Sequence, residues 1–218
     1  FVEEHGCDIG IATDGDADRL GVIDDKAEFL HPNKILVLLY YYLMRYRGWR
    51  GAAVRNLATT HLLDRIAEDF GETCYEVPVG FKYVSAKMVE TGAIIGGESS
   101  GGLTVRGHIQ GKDGIYAAAL LVEAIAKTGR RLSALWDEIT QKYGAAEMAE
   151  HDFHFSSAER TRIFKLLMED KQLPEFPCEI AKVSYMDGCK VYFKNGGWVI
   201  ARFSGTEPLL RVFCEMDT

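Results

Sequence analysis

Between residues 52 and 143, short apolar runs alternate with segments of helical period, and this alternation constrains the fold more than any other feature of the chain. Residues 52–58, 74–77 and 93–95 are short, mostly apolar and bounded by turn residues, which predicts strands. Between and after them, residues 62–70 close at Gly71, residues 83–91 close at Gly92, and residues 114–127 are rich in Ala and Leu. These segments predict helices, as does a segment capped by Ser133 that runs to Tyr143. Strands alternating with helices predict a mostly parallel sheet covered on both faces. Ahead of it, Pro32 opens a helix in which Ile35, Leu36, Leu39, Leu43 and Tyr46 recur at helical spacing.

The two ends differ from this middle. Residues 1–30 read as the tail of another α/β domain: a helix end capped by Gly6, a buried strand over 8–13, strands over 20–23 and 28–30, and a turn at Asp24-Asp25. Beyond Gly144 the pattern predicts a strand over 151–155, a helix from Ser157 to about Asp170, and a loop marked by Pro174 and Pro177. Strands over 179–186, 190–194 and 198–203 follow, with Asn195-Gly196-Gly197 as a hairpin turn, then a last strand over 210–215. The expected organisation is α/β for 1–30 and for 31–146, and a small α+β domain with an antiparallel sheet for 147–218.

Composition narrows the partners. With 25 Lys and Arg against 32 Asp and Glu, the net charge is −7, so non-specific nucleic-acid binding is not expected. An anionic substrate would need local basic groups. The five cysteines form no CxxC pair, which argues for neither a zinc site nor a disulfide framework and fits a reducing, cytoplasmic setting. The longest apolar run, 35–44, is too short to span a bilayer, so no membrane partner is expected. The chain starts at Phe1 with no signal peptide and is expected to be a piece of a longer protein.

Chemistry concentrates in four loops. Asp14-Gly15-Asp16-Ala17-Asp18-Arg19 sets three carboxylates at every second position between two strands. Like charges ~4 Å apart repel by about 1 kcal/mol in water and about 4 kcal/mol at an effective dielectric of 20. Such a cluster calls for a hard divalent cation, and magnesium takes oxygen ligands. A solvated Asp-rich turn is the plain rival. An EF-hand fails because Arg19 and Asp25 stand where Gly and Glu are needed. An aspartyl-phosphate nucleophile is a further rival, although that motif normally continues with Thr or Val where Ala17-Asp18 stands.

Gly96-Gly97-Glu98-Ser99-Ser100-Gly101-Gly102 follows a predicted strand, at the end where α/β sheets bind ligands. Glu98 and Ser100 can bond hydroxyl groups, and the glycines would let a ligand approach the backbone. Arg106 to Gly114 carries His108 and Lys112, candidates for proton transfer or phosphate contact. Arg202-Phe203-Ser204-Gly205-Thr206-Glu207-Pro208, with Arg211 beyond, combines hydroxyls, a glycine turn and two guanidinium groups into an anion nest.

Taken together, these loops resemble the α-D-phosphohexomutase superfamily, and phosphoglucomutases above all, across essentially the whole chain. Asp14–Arg19 is similar to the family's metal loop, 97–102 to its sugar-binding loop and 202–211 to its phosphate-binding loop, in the same order. The resemblance implies the end of the second, all of the third and most of the fourth of four domains. It also implies interconversion of glucose 1-phosphate and glucose 6-phosphate through an enzyme phosphoserine and a bisphosphorylated sugar, glucose 1,6-bisphosphate.

One magnesium ion would be held by Asp14, Asp16 and Asp18. Arg19, Lys112 and His108 would be catalytic, with Lys112 the general acid/base. Glu98 and Ser100 would hold sugar hydroxyls. Arg202, Ser204, Gly205, Thr206 and Arg211 would grip the non-reacting phosphate, and Lys82, in Gly80-Phe81-Lys82-Tyr83, would be a further phosphate contact. The family's phosphoserine loop has no counterpart here, so the N-terminal domains of the same protein are an expected partner and this chain alone is expected to be inactive. Gly102 stands where mutases that accept both mannose and glucose often carry His, which tilts the expectation to glucose. Phosphomannomutase activity and a non-catalytic phosphosugar-binding module are the alternatives.

Overall fold

The computed structural model describes residues 1–205 and 207–218, and these form two compact units, Phe1–Gly144 and Ala145–Thr218. The first opens with a single helical turn, α1 (Val2–His5), and a three-stranded antiparallel sheet of β1 (Gly10–Thr13), β2 (Leu20–Ile23) and β3 (Phe29–Leu30). The expectation of a buried β1 does not hold. It is an edge strand and Ile11 is exposed, because apolar composition alone does not say whether a second layer covers a strand.

The helix α2 (Pro32–Arg45) lies at the centre of this unit. Its periodic stripe understates its burial: Val37, Leu38, Tyr40, Tyr41 and Tyr42 are buried as well. A helix apolar all round belongs in a core. The tyrosine hydroxyls still need partners there, and Tyr41 and Tyr42 donate to Glu138 (2.6 Å) and Glu123 (2.5 Å).

The second sheet has the order β5-β4-β6-β7, made of β4 (Ala53–Asn56), β5 (Cys74–Val77), β6 (Ile95–Gly97) and β7 (Leu103–Val105). The first three are parallel and β7 is antiparallel to β6. Helices α3 (Leu62–Asp69), α4 (Phe81–Thr91), α5 (Gly114–Thr128) and α6 (Leu132–Tyr143) complete the unit. The glycines of β6 serve packing rather than ligand approach. A Cβ on Gly96 would come within 2.6 Å of Val84 in α4, and one on Gly97 within 2.8 Å of Leu36 in α2. Both helices therefore rest directly on the β6 backbone, which fixes where the next loop begins.

Ser133 is not a cap. Residue Arg131 takes that position without a side-chain bond, and Asp25 bonds the Ser133 amide (3.1 Å) and hydroxyl (2.8 Å) from the β2–β3 turn. The cap comes from far away in sequence, so a local pattern search misses it.

The second unit is a five-stranded antiparallel sheet in the order β8-β12-β11-β10-β9. Its strands are β8 (Ala146–His154), β9 (Ile180–Ser184), β10 (Cys189–Phe193), β11 (Trp198–Phe203) and β12 (Leu209–Asp217). β8 starts earlier than the alternation suggested, since its backbone pairs with β12 along its length from Ala146. The helix α7 (Ser157–Phe164) is capped by Ser156 in a capping box with Glu159, and a π-helical turn Lys165–Glu169 replaces the expected last turns. Cys189, Val191 and Phe193 form one hydrophobic cluster with Leu167, Leu173 and Phe176.

Candidate functional site

In the first unit, β1 and β2 pair through Thr13↔Leu20, so the acidic loop is the tip of a hairpin. Ala17 takes a left-handed φ of 57°, and its amide donates to the Asp14 carbonyl (3.1 Å). That curl turns all three carboxylates inward: one oxygen each of Asp14, Asp16 and Asp18 lies within 4.8 Å of the others. Arg19 is the first counter-charge. Its Nε donates to Asp14 Oδ2 at 2.6 Å and stands 3.5 Å from Asp18 Oδ1. Desolvation alone would raise the Asp14 carboxyl, but the Arg19 hydrogen bonds and charge outweigh it and hold Asp14 below its ordinary value.

A second counter-charge was not expected. Lys112 forms an ion pair with Asp18 Oδ2. It reaches there across Gly102, and a Cβ at 102 would lie only 2.1 Å from Lys112 Cδ. Gly102 also bridges to the backbone of Arg19, and the Gly114 amide, which starts α5, donates to the Ala17 carbonyl (2.9 Å). Three of the four loops singled out in the sequence therefore meet in this unit: 14–19, 97–102 and 106–114.

His108 takes another direction. Its Nε2 is 2.7 Å from Asp113 Oδ2, and its ring stacks on Tyr116 at 3.9 Å. Asp113 also caps α5 by accepting from the Tyr116 amide, and that bond with the His108 contact holds its carboxyl below the ordinary value. Among the described residues, His108 thus contacts the helix start rather than the acidic loop. Glu98 is buried, and Ser100 beside it is exposed. Lys82 is exposed in the first turn of α4 with its ammonium 4.9 Å from the Tyr83 ring centre.

In the second unit, Arg202 on β11 and Arg211 on β12 are direct cross-strand partners, and Arg211 pairs onward with Asp152 on β8. Like charges directly opposite are destabilising. Carboxylates balance them: Arg202 donates to Asp187 (2.8 Å), while Arg211 lies 3.3 Å from Asp152 and 3.4 Å from Glu207. Between the strands, the Ser204 amide donates to the Leu209 carbonyl and the Glu207 amide donates to Ser204 Oγ. Thr206 lies outside the described residues. None of Asp152, Asp187 or Lys112 as a counter-ion was legible in the sequence, because each depends on register or on a through-space approach.

The sequence profile described as phosphoglucomutase/phosphomannomutase, alpha/beta/alpha domain III, matches residues 31–143, and the profile of the C-terminal domain matches residues 164–218. The chain belongs to the phosphoglucomutase/phosphomannomutase family. A phosphoglucomutase/phosphomannomutase of Thermococcus kodakarensis is 35% identical over 99% of this chain and 44% of its own length. A phosphoglucosamine mutase of an Exiguobacterium species is 29% identical over 100% of this chain and 44% of its own. Among solved structures, a phosphoglucomutase/phosphomannomutase family protein of Burkholderia thailandensis superposes with a TM-score of 0.77 at 27% identity, covering 97% of this chain and 43% of that one. This chain thus spans less than half the length of these family members. Among the described residues, no helix is long and apolar enough to cross a membrane.

Proposed function

We propose that this chain is the C-terminal part of a phosphohexomutase that interconverts glucose 1-phosphate and glucose 6-phosphate. The observation that carries the reading is the convergence of the acidic triad, Arg19, Gly102 and Lys112 in one loop cluster. Asp14, Asp16 and Asp18 offer an all-oxygen donor set of the kind magnesium prefers, and the ion would be held by these three residues. Bound there, it supplies positive charge to a transferring phosphoryl group.

The chain's own residues would do the rest. Arg19 stands beside the triad with donors suited to a phosphoryl oxygen. Lys112, drawn to the loop by Asp18, would exchange a proton with the reacting hydroxyl, and His108 would steady the Lys112 loop through Asp113. Glu98 and Ser100 would hold sugar hydroxyls and Lys82 a phosphate. In the second unit, Arg202, Ser204, Gly205, Thr206 and Arg211 would bind the phosphate that is not transferred. The phosphoryl donor, a phosphoserine, would come from the N-terminal domains of the same protein, and glucose 1,6-bisphosphate would be the intermediate. Glucose is preferred over mannose in this reading because Gly102 stands where mutases that accept both sugars often carry His, and Lys112 runs through the space such a side chain would need.

The test is a coupled assay on the protein extended through its N-terminal domains, with magnesium and glucose 1,6-bisphosphate. Turnover of glucose 1-phosphate above that of mannose 1-phosphate is expected, with none from the 218-residue chain alone. Wild-type-like turnover by this chain alone would overturn the assignment of the donor serine. Binding without turnover by the extended protein would favour a phosphosugar-binding module.

A further inference from the structure

Glu98 follows β6, and its orientation is set by the two neighbouring parallel strands. β4 pairs with β6 through Arg55↔Gly97 and with β5 through Asn56↔Val77, so the carboxyl ends of all three strands lie side by side. Asn56 is the last residue of β4 and is 2% exposed. Its Nδ2 donates to Glu98 Oε1 at 2.9 Å, and the Gly80 amide, just beyond β5, donates to the same oxygen at 3.0 Å. Both bonds fall on Oε1, and among the described residues Oε2 has no hydrogen-bond partner.

The other end of the Asn56 amide is also used. Oδ1 accepts from the Ala58 amide (2.9 Å) and from the Thr59 hydroxyl (2.9 Å), and Thr59 Oγ1 in turn accepts from the Ser99 amide (3.1 Å). Nδ2 faces a carboxylate and Oδ1 faces two donors, so only one orientation of the amide satisfies the network. Asn56 and Thr59 are both buried, and such networks gain strength from low local dielectric. The preceding residue, Arg55, anchors the strand end from the other face, with Nε and Nη2 on Asp64 and Nη1 on Glu76.

We infer that Asn56 is a positioning residue for hexose-phosphate recognition: with Gly80 it takes up Glu98 Oε1 and so aims Oε2 at the sugar hydroxyls, while through Thr59 it fixes the backbone at Ser99. Gly80 also begins the turn that carries Lys82, so one side chain ties the sugar-facing carboxylate to the loop of a candidate phosphate contact. This inference rests on the sugar-binding reading of Glu98 given above.

The discriminating variant is Asn56→Asp. Aspartate keeps the two bonds that Oδ1 accepts, removes the donor to Glu98 and sets a second carboxylate against it. In the 218-residue chain, glucose 6-phosphate binding followed by calorimetry should weaken by about 5- to 50-fold. Inorganic phosphate binding should not change. In a Glu98→Ala background the same substitution should have no further effect, since nothing is left to aim. Amide hydrogen exchange at Gly80 gives a readout independent of any ligand: the amide should lose protection in Asn56→Asp. Unchanged protection at Gly80, or an equal loss of affinity with and without Glu98, overturns the inference. If the unmodified chain binds no glucose 6-phosphate while Gly80 exchange responds as stated, the sugar-binding reading fails and the positioning of Glu98 by Asn56 stands.

Discussion

Replacing Gly102 with alanine should tighten magnesium binding at the acidic loop, although neither residue carries a charge. The added Cβ would lie 2.1 Å from Cδ and 2.8 Å from Cγ of Lys112. Both atoms are mid-stem, so swinging the ammonium group alone relieves nothing. Lys112 must change rotamer and leave Asp18, and the triad loses one of its two cationic neighbours. A unit charge ~4 Å away at an effective dielectric of 20 is worth about 4 kcal/mol, an upper bound here. Both side chains are 26% exposed, which pulls the value toward the range of roughly 0.2–1 kcal/mol measured for surface pairs. About 1 kcal/mol corresponds to about a fivefold gain in affinity. Calorimetric titration with magnesium should therefore show Gly102→Ala and Lys112→Met tightening alike, with no further gain in the double variant. Tightening by Lys112→Met but not by Gly102→Ala would refute the steric link between the two loops.

Arg211→Ala should weaken hexose-phosphate binding by about 10- to 100-fold, one charge-assisted contact of roughly 1.5–3 kcal/mol, and leave neutral glucose unaffected; unchanged phosphate affinity in a calorimetric comparison would make the loop a plain hairpin. Asp25→Ala removes both bonds at Ser133 and leaves its hydroxyl buried, so thermal melting should fall by roughly 3–10 °C for a cost of about 1–3 kcal/mol; no change would mean water replaces the cap. Acid should destabilise the first unit. Burial alone would raise Asp25 and Glu138, but hydrogen bonds from Ser133 and from Tyr41 and Tyr46 outweigh it, and Lys142 lowers Asp69 directly. Groups depressed in the folded state stabilise it above their unfolded values, near 4, and lose that contribution as pH falls through the folded ones. His31, whose protonation burial opposes, adds a loss that begins as pH falls below its unfolded value near 6.5, so the melting temperature should start to fall there and drop further below about pH 4; a rise on acidification would contradict the sign.

What was legible in the sequence was what depends on nearby residues. The strand–helix alternation over 52–143 needs only local period and turn residues, and it led to the mostly parallel sheet. The acidic loop and the Arg202–Arg211 loop were legible because their chemistry is contiguous. Contacts made through register were not. Asn56 looks like any polar residue within the expected strand 52–58 until β4, β5 and β6 are aligned, and then it stands at the end of β4 with its amide on Glu98. Ser133 has the composition of a cap, yet Asp25 holds the helix start from 108 residues away. The sequence reads the glycines of 96–102 as room for a ligand to approach the backbone, while in the fold Gly96 and Gly97 are where two helices touch a strand. The π-helical turn after Phe164 carries no residue type that marks it.

The central claim, that the acidic loop is a cation site, is tested most directly by magnesium titration of Asp16→Asn. Asp14 is engaged by Arg19 and Asp18 by Lys112, whereas among the described residues Asp16 makes no ion pair. Its carboxylate is exposed, so the substitution should shift stability by no more than about 0.5 kcal/mol. Magnesium affinity should fall by tenfold or more, since one of three anionic oxygen ligands is lost, on the order of 1.4 kcal/mol. Equal affinity in the two proteins would mean that the three carboxylates form a solvated turn and no metal site.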